Sequence, residues 1–235
     1  MHASTAAEAQ TRKVPTKLDG GHTSNYFGSK DEASGPHAFL VEGGPGYRIE
    51  PHFHGVNQFQ VCVGGSGRLM KKALAPGVLH YADAYTPYGP IVASDEGLSF
   101  FTLREKAYAF GAHYVPGSKE EKKAPTGRNL ITQAEVAGER TTGVRPLFEE
   151  RDGVGAYELR AAPNAPVPDP AQLPDRGAAY IVVFAGGVTA GGKEYGERSC
   201  LFVGAGEPAP AMVAGRDGAV VGFLQFARAK EQPAA

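Results

Sequence analysis

The chain has 235 residues, with 24 Lys and Arg against 25 Asp and Glu, 32 glycines, 18 prolines and no tryptophan. A hydrophobic content of 42% is too high for a disordered polymer, and a net charge of -1 offers no basic face for nucleic acid or an anionic membrane. Glycine and proline at roughly one residue in five, with no three-residue period, exclude collagen and point to short strands joined by tight turns.

Residues 1–36 are polar and rich in Gly, Ser and Thr, and read as an N-terminal arm, loose or exchanged with a partner. Met1 to Leu18 holds no apolar stretch of the signal-peptide kind, so a cytoplasmic protein is expected. Residues 37–104 alternate short apolar runs with turn signals such as Gly43-Gly44-Pro45-Gly46, Gly64-Gly65-Ser66-Gly67 and Pro87-Tyr88-Gly89-Pro90, the rhythm of a sandwich or barrel. Residues 105–143 read as a connector containing Pro116-Gly117, the mixed-charge run Lys119 to Lys123, Pro125 and a short helix around Ile131 to Ala137. Strands resume across 144–228, and 229–235 form a tail. The longest apolar run, Ala178 to Val188, is too short to cross a bilayer as a helix. Cys62 and Cys200 stand far apart with no CxxC, which suits a reducing compartment.

The halves echo each other. Phe59 to Gly65 matches Tyr180 to Gly186, an offset of 121, and Gly97 to Arg104 resembles Val221 to Arg228, an offset of 124. Two echoes in the same order predict a duplicated β unit.

The chemistry is concentrated between His52 and Pro90. On a strand, residues two apart share a face, so His52 and His54 present two imidazoles to one point, as a Zn, Cu, Fe or Ni site requires. The alternative is an accidental surface or core pair. In the strand after them, Gln58, Gln60 and Cys62 share one face, and Phe59, Val61 and Val63 the other. If Gln58 faces the lumen, Gln60 does too and lines a polar pocket. Cys62 reads as an ordinary buried thiol. His80 is either a further ligand or a buried histidine bonded to backbone. Tyr81, Tyr85 and Tyr88 either reach the pocket with a hydroxyl, Tyr85 and Tyr88 as proton donors and Tyr81 toward substrate, or pack with a wet tip. Arg48 and Glu50 share parity with the histidines, so Arg48 either contacts substrate or pairs with Glu50 on an outer rim. No histidine follows His113; the positions echoing His52 and His54 fall near Leu173 and Asp175. Asp175, Glu194 and Glu197 read as turn charges.

Gly46, His52, His54, Gln58 and Gly65 together resemble the first motif of the cupin superfamily, G-x5-H-x-H-x3/4-E-x6-G, with Gln58 in place of glutamate. Pro87-Tyr88-Gly89 supplies the P-x-G of the second motif, where Val92 replaces a histidine. The resemblance implies an all-β fold of two tandem double-stranded β-helix (jelly-roll) barrels, the second degenerate. It also implies one divalent metal, with Fe favoured over Mn, Ni, Cu or Zn, held by His52, His54, Gln58 and His80. A small polar substrate, an oxygenase-type or lyase or isomerase reaction, and a homodimer follow as expectations. The rival expectation is a non-catalytic or structural cupin with a vestigial site, favoured by Gln58 and Val92.

Overall fold

A computed structural model describes residues 1–29, 35–117, 127–168 and 177–228. The run Lys119 to Lys123, Pro125, Leu173, Asp175 and the 229–235 tail lie outside the described residues. Chain order is β1 (His2–Ser4), α1 (Ala6–Gln10), β2 (Lys13–Pro15), β3 (Gly21–Phe27), β4 (His37–Gly43), β5 (Arg48–Ile49) and β6 (His52–Phe53). There follow β7 (Gln58–Leu69), β8 (Lys72–Leu74), β9 (Val78–Ala82), β10 (Ile91–Arg104), β11 (His113–Tyr114) and β12 (Asn129–Gln133). The remainder comprises β13 (Gly143–Glu149), β14 (Gly155–Ala161), β15 (Ala179–Ala190), β16 (Lys193–Gly196), β17 (Cys200–Val203) and β18 (Met212–Gln225). The fold is all-β, as its turn-rich composition requires, and no described helix is long and apolar enough to cross a membrane.

The chain forms two compact units, one of residues Thr5–Ala134 and one joining Met1–Ser4 to residues from Glu135 onward. In the first, antiparallel strands lie in the order β12-β9-β7-β10-β4-β3-β2, with β5 on β10 and β8 on β7. In the second the order is β1-β17-β15-β18-β14-β13, with β16 on β15. These divisions redraw the expected boundaries. The supposed arm supplies α1, β2 and β3 to the first unit and β1 to the second. The supposed connector supplies β11 and β12, so the expected helix near Ile131 is a strand whose Ile131 pairs with His80. Thr5 caps α1: its hydroxyl accepts from Glu8 N, and the Glu8 carboxylate accepts from Thr5 N, 2.8 Å away.

The echoed segments occupy corresponding register positions in the two units. Phe59 pairs with Leu103 in the first unit and Tyr180 with Leu224 in the second, an offset of 121 on both strands. That offset supersedes the 124 drawn from the sequence, because alternating apolar strands align equally well when slid past one another. Under it Gly65 corresponds to Gly186, and both have left-handed backbone, with φ of 65° and 70°.

The interiors differ. In the second unit Tyr157, Leu159, Ile181, Val183, Val221 and Phe223 belong to one buried apolar cluster. In the first, the cluster of Val41, Leu69, Val78, Ile91 and Phe100 leaves room for polar side chains. His52, His54, Gln58, Gln60, His80, Thr102 and Arg104 are all buried there.

Candidate functional site

His52 ends up at the site because its backbone is clamped. His52 N donates to Tyr88 O and Tyr88 N to His52 O, both at 3.0 Å, while Tyr85 N donates to His54 O at 2.7 Å. On the other side β11 pairs with β6, placing Tyr114 opposite His52. The two imidazoles stand edge to face with centroids 5.1 Å apart.

Their protonation follows from their partners. His52 Nδ1 lies 2.7 Å from Glu50 O, and His54 Nδ1 lies 2.7 Å from Gly111 O. A backbone carbonyl only accepts, so each Nδ1 carries the proton and each Nε2 keeps a bare lone pair. Burial first, with the nearby Arg104 charge adding to it, brings His52 down to about 4 against the opposing pull of Glu50 O. The same two causes hold His54 well below its ordinary range. Both rings are therefore neutral near pH 7.

They open into a cavity of about 560 Å³ in the first unit, within the roughly 300–1,000 Å³ typical of small-molecule sites. Gln60 and Tyr88 also line it. The Tyr88 ring lies 4.5 Å from that of His52, and its hydroxyl oxygen accepts a hydrogen bond from Gln58 Nε2. Burial raises the Tyr88 pKa far above that of a free phenol, so the hydroxyl keeps its proton.

Other expected site residues are held elsewhere. His80 is buried, and its Nδ1 lies 2.8 Å from Gln60 Oε1 and its Nε2 2.7 Å from Asn129 Oδ1. Burial brings it down to about 4, and a neutral ring has one N–H, so one amide turns its NH2 toward the ring. Neither His80 nitrogen then has a lone pair free for a metal. Arg48 is corrected to the outer rim: its guanidinium pairs with Glu50 at 2.6 Å and does not line the cavity. Tyr81 is fully buried and donates to Asp83 at 2.9 Å, away from the cavity. Tyr85 packs 6.1 Å from Phe53 and is likewise absent from the lining. Cys62 is buried and pushed up to about 12, an inert thiol as expected. Glu194 and Glu197 are exposed.

Arg104, Asn129 and His37 were not anticipated. Arg104 closes β10 beside Gln58, its Nε donating to Gln58 Oε1 at 3.2 Å and its Nη2 lying 3.2 Å from His54 Nδ1. With the Nδ1 proton committed to Gly111, that second approach is a charge beside the ring rather than a donated bond. Val92 pairs with Arg48 and Arg68 at the other end of β10 and does not line the cavity. The strand register alone reveals Arg104 as the β10 residue that reaches the histidines.

The donor set fits a divalent ion in part. His52 and His54 have the tautomer and backbone tethers that metal-ligating imidazoles use. Gln58 Oε1 already accepts from Arg104 Nε, whose charge opposes a dication there, and among the described residues no three His, Cys, Asp or Glu side chains are grouped to hold a metal.

No protein-family model matches this chain, and no curated protein matches it in sequence. Solved structures do match in fold. A proposed dioxygenase from Nostoc punctiforme has a TM-score of 0.65 at 11% identity, covering 94% of this chain and 79% of its own. The bacterial pirin YhhW of Escherichia coli, in complex with nickel(II), has a TM-score of 0.62 at 12% identity, covering 97% and 99%. Bacillus subtilis oxalate decarboxylase, described with Mn(II) centres, has a TM-score of 0.53 at 14% identity, covering 93% and 76%. These neighbours are cupins, and the chain has the cupin fold; at such identities the likeness extends to the fold alone.

Proposed function

We propose that the first unit is a small-molecule enzyme site of the cupin type, with His52 and His54 as its protein ligands for one divalent metal ion. The observation that carries this reading is the paired tautomer: two bare Nε2 lone pairs facing one cavity, each fixed by a backbone carbonyl. A metal bound there would supply Lewis-acid or redox chemistry to a substrate oxygen, with most coordination positions left open. Tyr88 lies beside the pair; its oxygen accepts from Gln58, so its own hydrogen is left for a bound molecule. Metal-bearing neighbours support this reading, and an oxygenase-type reaction is its leading form.

Arg104 favours a second reading, a binding module without a resident metal, because a fixed guanidinium beside His54 and Gln58 repels a dication.

Metal analysis and titration of the full chain separate the two. Wild type should bind about one equivalent of Fe, Mn, Ni, Cu or Zn, and His52→Ala or His54→Ala should each weaken it by about 100-fold or more, since two nitrogens are all the protein provides. His80→Ala should leave metal affinity within about twofold while lowering the melting temperature, because it removes a buried hydrogen-bonded ring. A wild type that takes up none of these ions sinks the metal reading.

A further inference from the structure

The cavity wall of the first unit changes character row by row, as its register shows. Thr23, Val41 and Phe100 form one cross-strand row over β3, β4 and β10. Asn25, Phe39 and Thr102 form the next, continued by Gln60 on β7. His37 and Arg104 pair in the last. All of these side chains line the cavity, which is thus apolar around Val41 and Phe100 and polar around His37 and Arg104. The Arg104 guanidinium leans back over the Phe39 ring, 5.5 Å from its centroid. Among the described lining residues the formal charges are those of Lys17 and Arg104, both positive.

Two polar atoms in this wall are left over. His37 is 9% exposed, and its Nδ1 is buried with no hydrogen-bond partner. Asn25 Oδ1, in the neighbouring row, is orphaned too, although Asn25 Nδ2 donates to Gly28 O at 2.8 Å. Buried polar atoms are as a rule hydrogen-bonded, so two unpaired ones on one cavity wall mark a place where a bound molecule would complete the bonding.

We infer that Arg104 and His37 anchor the carboxylate of a small organic acid whose apolar body lies against Val41, Phe39 and Phe100. Guanidinium is the side chain best matched to a carboxylate, by charge and by its planar fork of donors. A neutral imidazole beside it adds one N–H, and Asn25 Oδ1 accepts from a hydroxyl or amine on the ligand. The lowered basicity of His37, caused by burial and then by the Arg104 charge, keeps that imidazole neutral near pH 7. The inference rests on reading this lumen as the small-molecule site, but not on the presence of a metal.

Calorimetric titration of EDTA-treated full-length protein tests it with phenylacetate, its neutral isostere phenylacetamide, and acetate. Phenylacetate should bind, and phenylacetamide and acetate should each bind about tenfold or more weakly, one lacking the charge and the other the apolar body. Arg104→Gln should lose about tenfold or more for phenylacetate, Arg104→Lys should recover part of it, and His37→Ala should lose several-fold. Val41→Phe, which keeps the anchor and fills the apolar end, should lose phenylacetate but leave acetate unchanged, so the inference stays testable if Arg104→Gln fails to fold. Equal binding of phenylacetate and phenylacetamide, or binding of neither, overturns it. His52→Ala and His54→Ala should keep phenylacetate while losing metal. If the wild type takes up phenylacetate but no metal, only the metal reading falls; metal without phenylacetate defeats the anchor alone.

Discussion

Gly65→Ala is expected to cost about 3 kcal/mol or more, a large fraction of the roughly 5–15 kcal/mol that stabilises an ordinary domain. Two effects combine. The backbone at Gly65 is left-handed, which costs any other L-residue about 1–2 kcal/mol. In addition, a Cβ there would lie 2.1 Å from Gly97 O and 2.7 Å from Gly97 C, backbone atoms that cannot swing aside. Gly186 is in the same position in the second unit, its Cβ meeting Gly218 O at 2.0 Å, so Gly186→Ala should be equally damaging. Gly46 separates the terms. Its φ is 69°, yet a Cβ there meets nothing within 4 Å, so Gly46→Ala should cost only the dihedral term. Urea denaturation of the three variants checks the ordering; a Gly65→Ala cost no larger than that of Gly46→Ala would falsify the close strand crossing described here.

Acid should unfold the first unit well before the second. Four histidines of the first unit, His37, His52, His54 and His80, are held neutral by burial, three of them down to about 4. In the unfolded chain they titrate near 6.5, so between about pH 6.5 and 4 the unfolded state binds more protons. The sign is then fixed: stability is full above about pH 6.5 and falls as the pH drops through that window. Each of the three contributes up to about 3.5 kcal/mol, from ~2.5 pH units at ~1.4 kcal/mol each, and their sum is comparable to the whole stability of a domain. The second unit has one histidine, the exposed His2. Its buried Glu158, paired with Arg145 and Arg160, is held below the ordinary carboxylate range, so its acid loss begins only at lower pH. Pulse proteolysis at pH 7.5, 6, 5 and 4.5, read segment by segment by mass spectrometry, should show residues 37–104 cleaved first. Simultaneous loss of both units would refute this account.

His52 and His54 were legible because their spacing needs only a strand's two-residue period, and Gly65 because a turn glycine sits at a fixed distance from them. The shared parity of Gln58 and Gln60 was legible for the same reason, whereas the pairing of His80 with Gln60 is seen only in the strand register. What the sequence could not convey was who else stands there. Asn129, which occupies His80 Nε2, lies 49 residues downstream on a strand read as connector. Arg104 and His37 meet through a pairing of β10 with β4, a long-range register that no local pattern encodes. Arg48 had the right parity, but its shortest path led to Glu50 two residues away.

Both units finish their sheets with a strand from outside the echoed segments. β12 follows those segments in the first unit, so that unit is continuous in sequence from Thr5 to Ala134. The second borrows β1, whose His2 pairs with Phe202 two hundred positions later. During synthesis the partner edge of β1 does not yet exist, and the whole first unit can fold while those few residues wait. A C-terminal half made without them would leave β17, Cys200 to Val203, as a bare apolar edge open to pairing with another chain. The first four residues thus act as an edge guard whose absence invites strand exchange and aggregation.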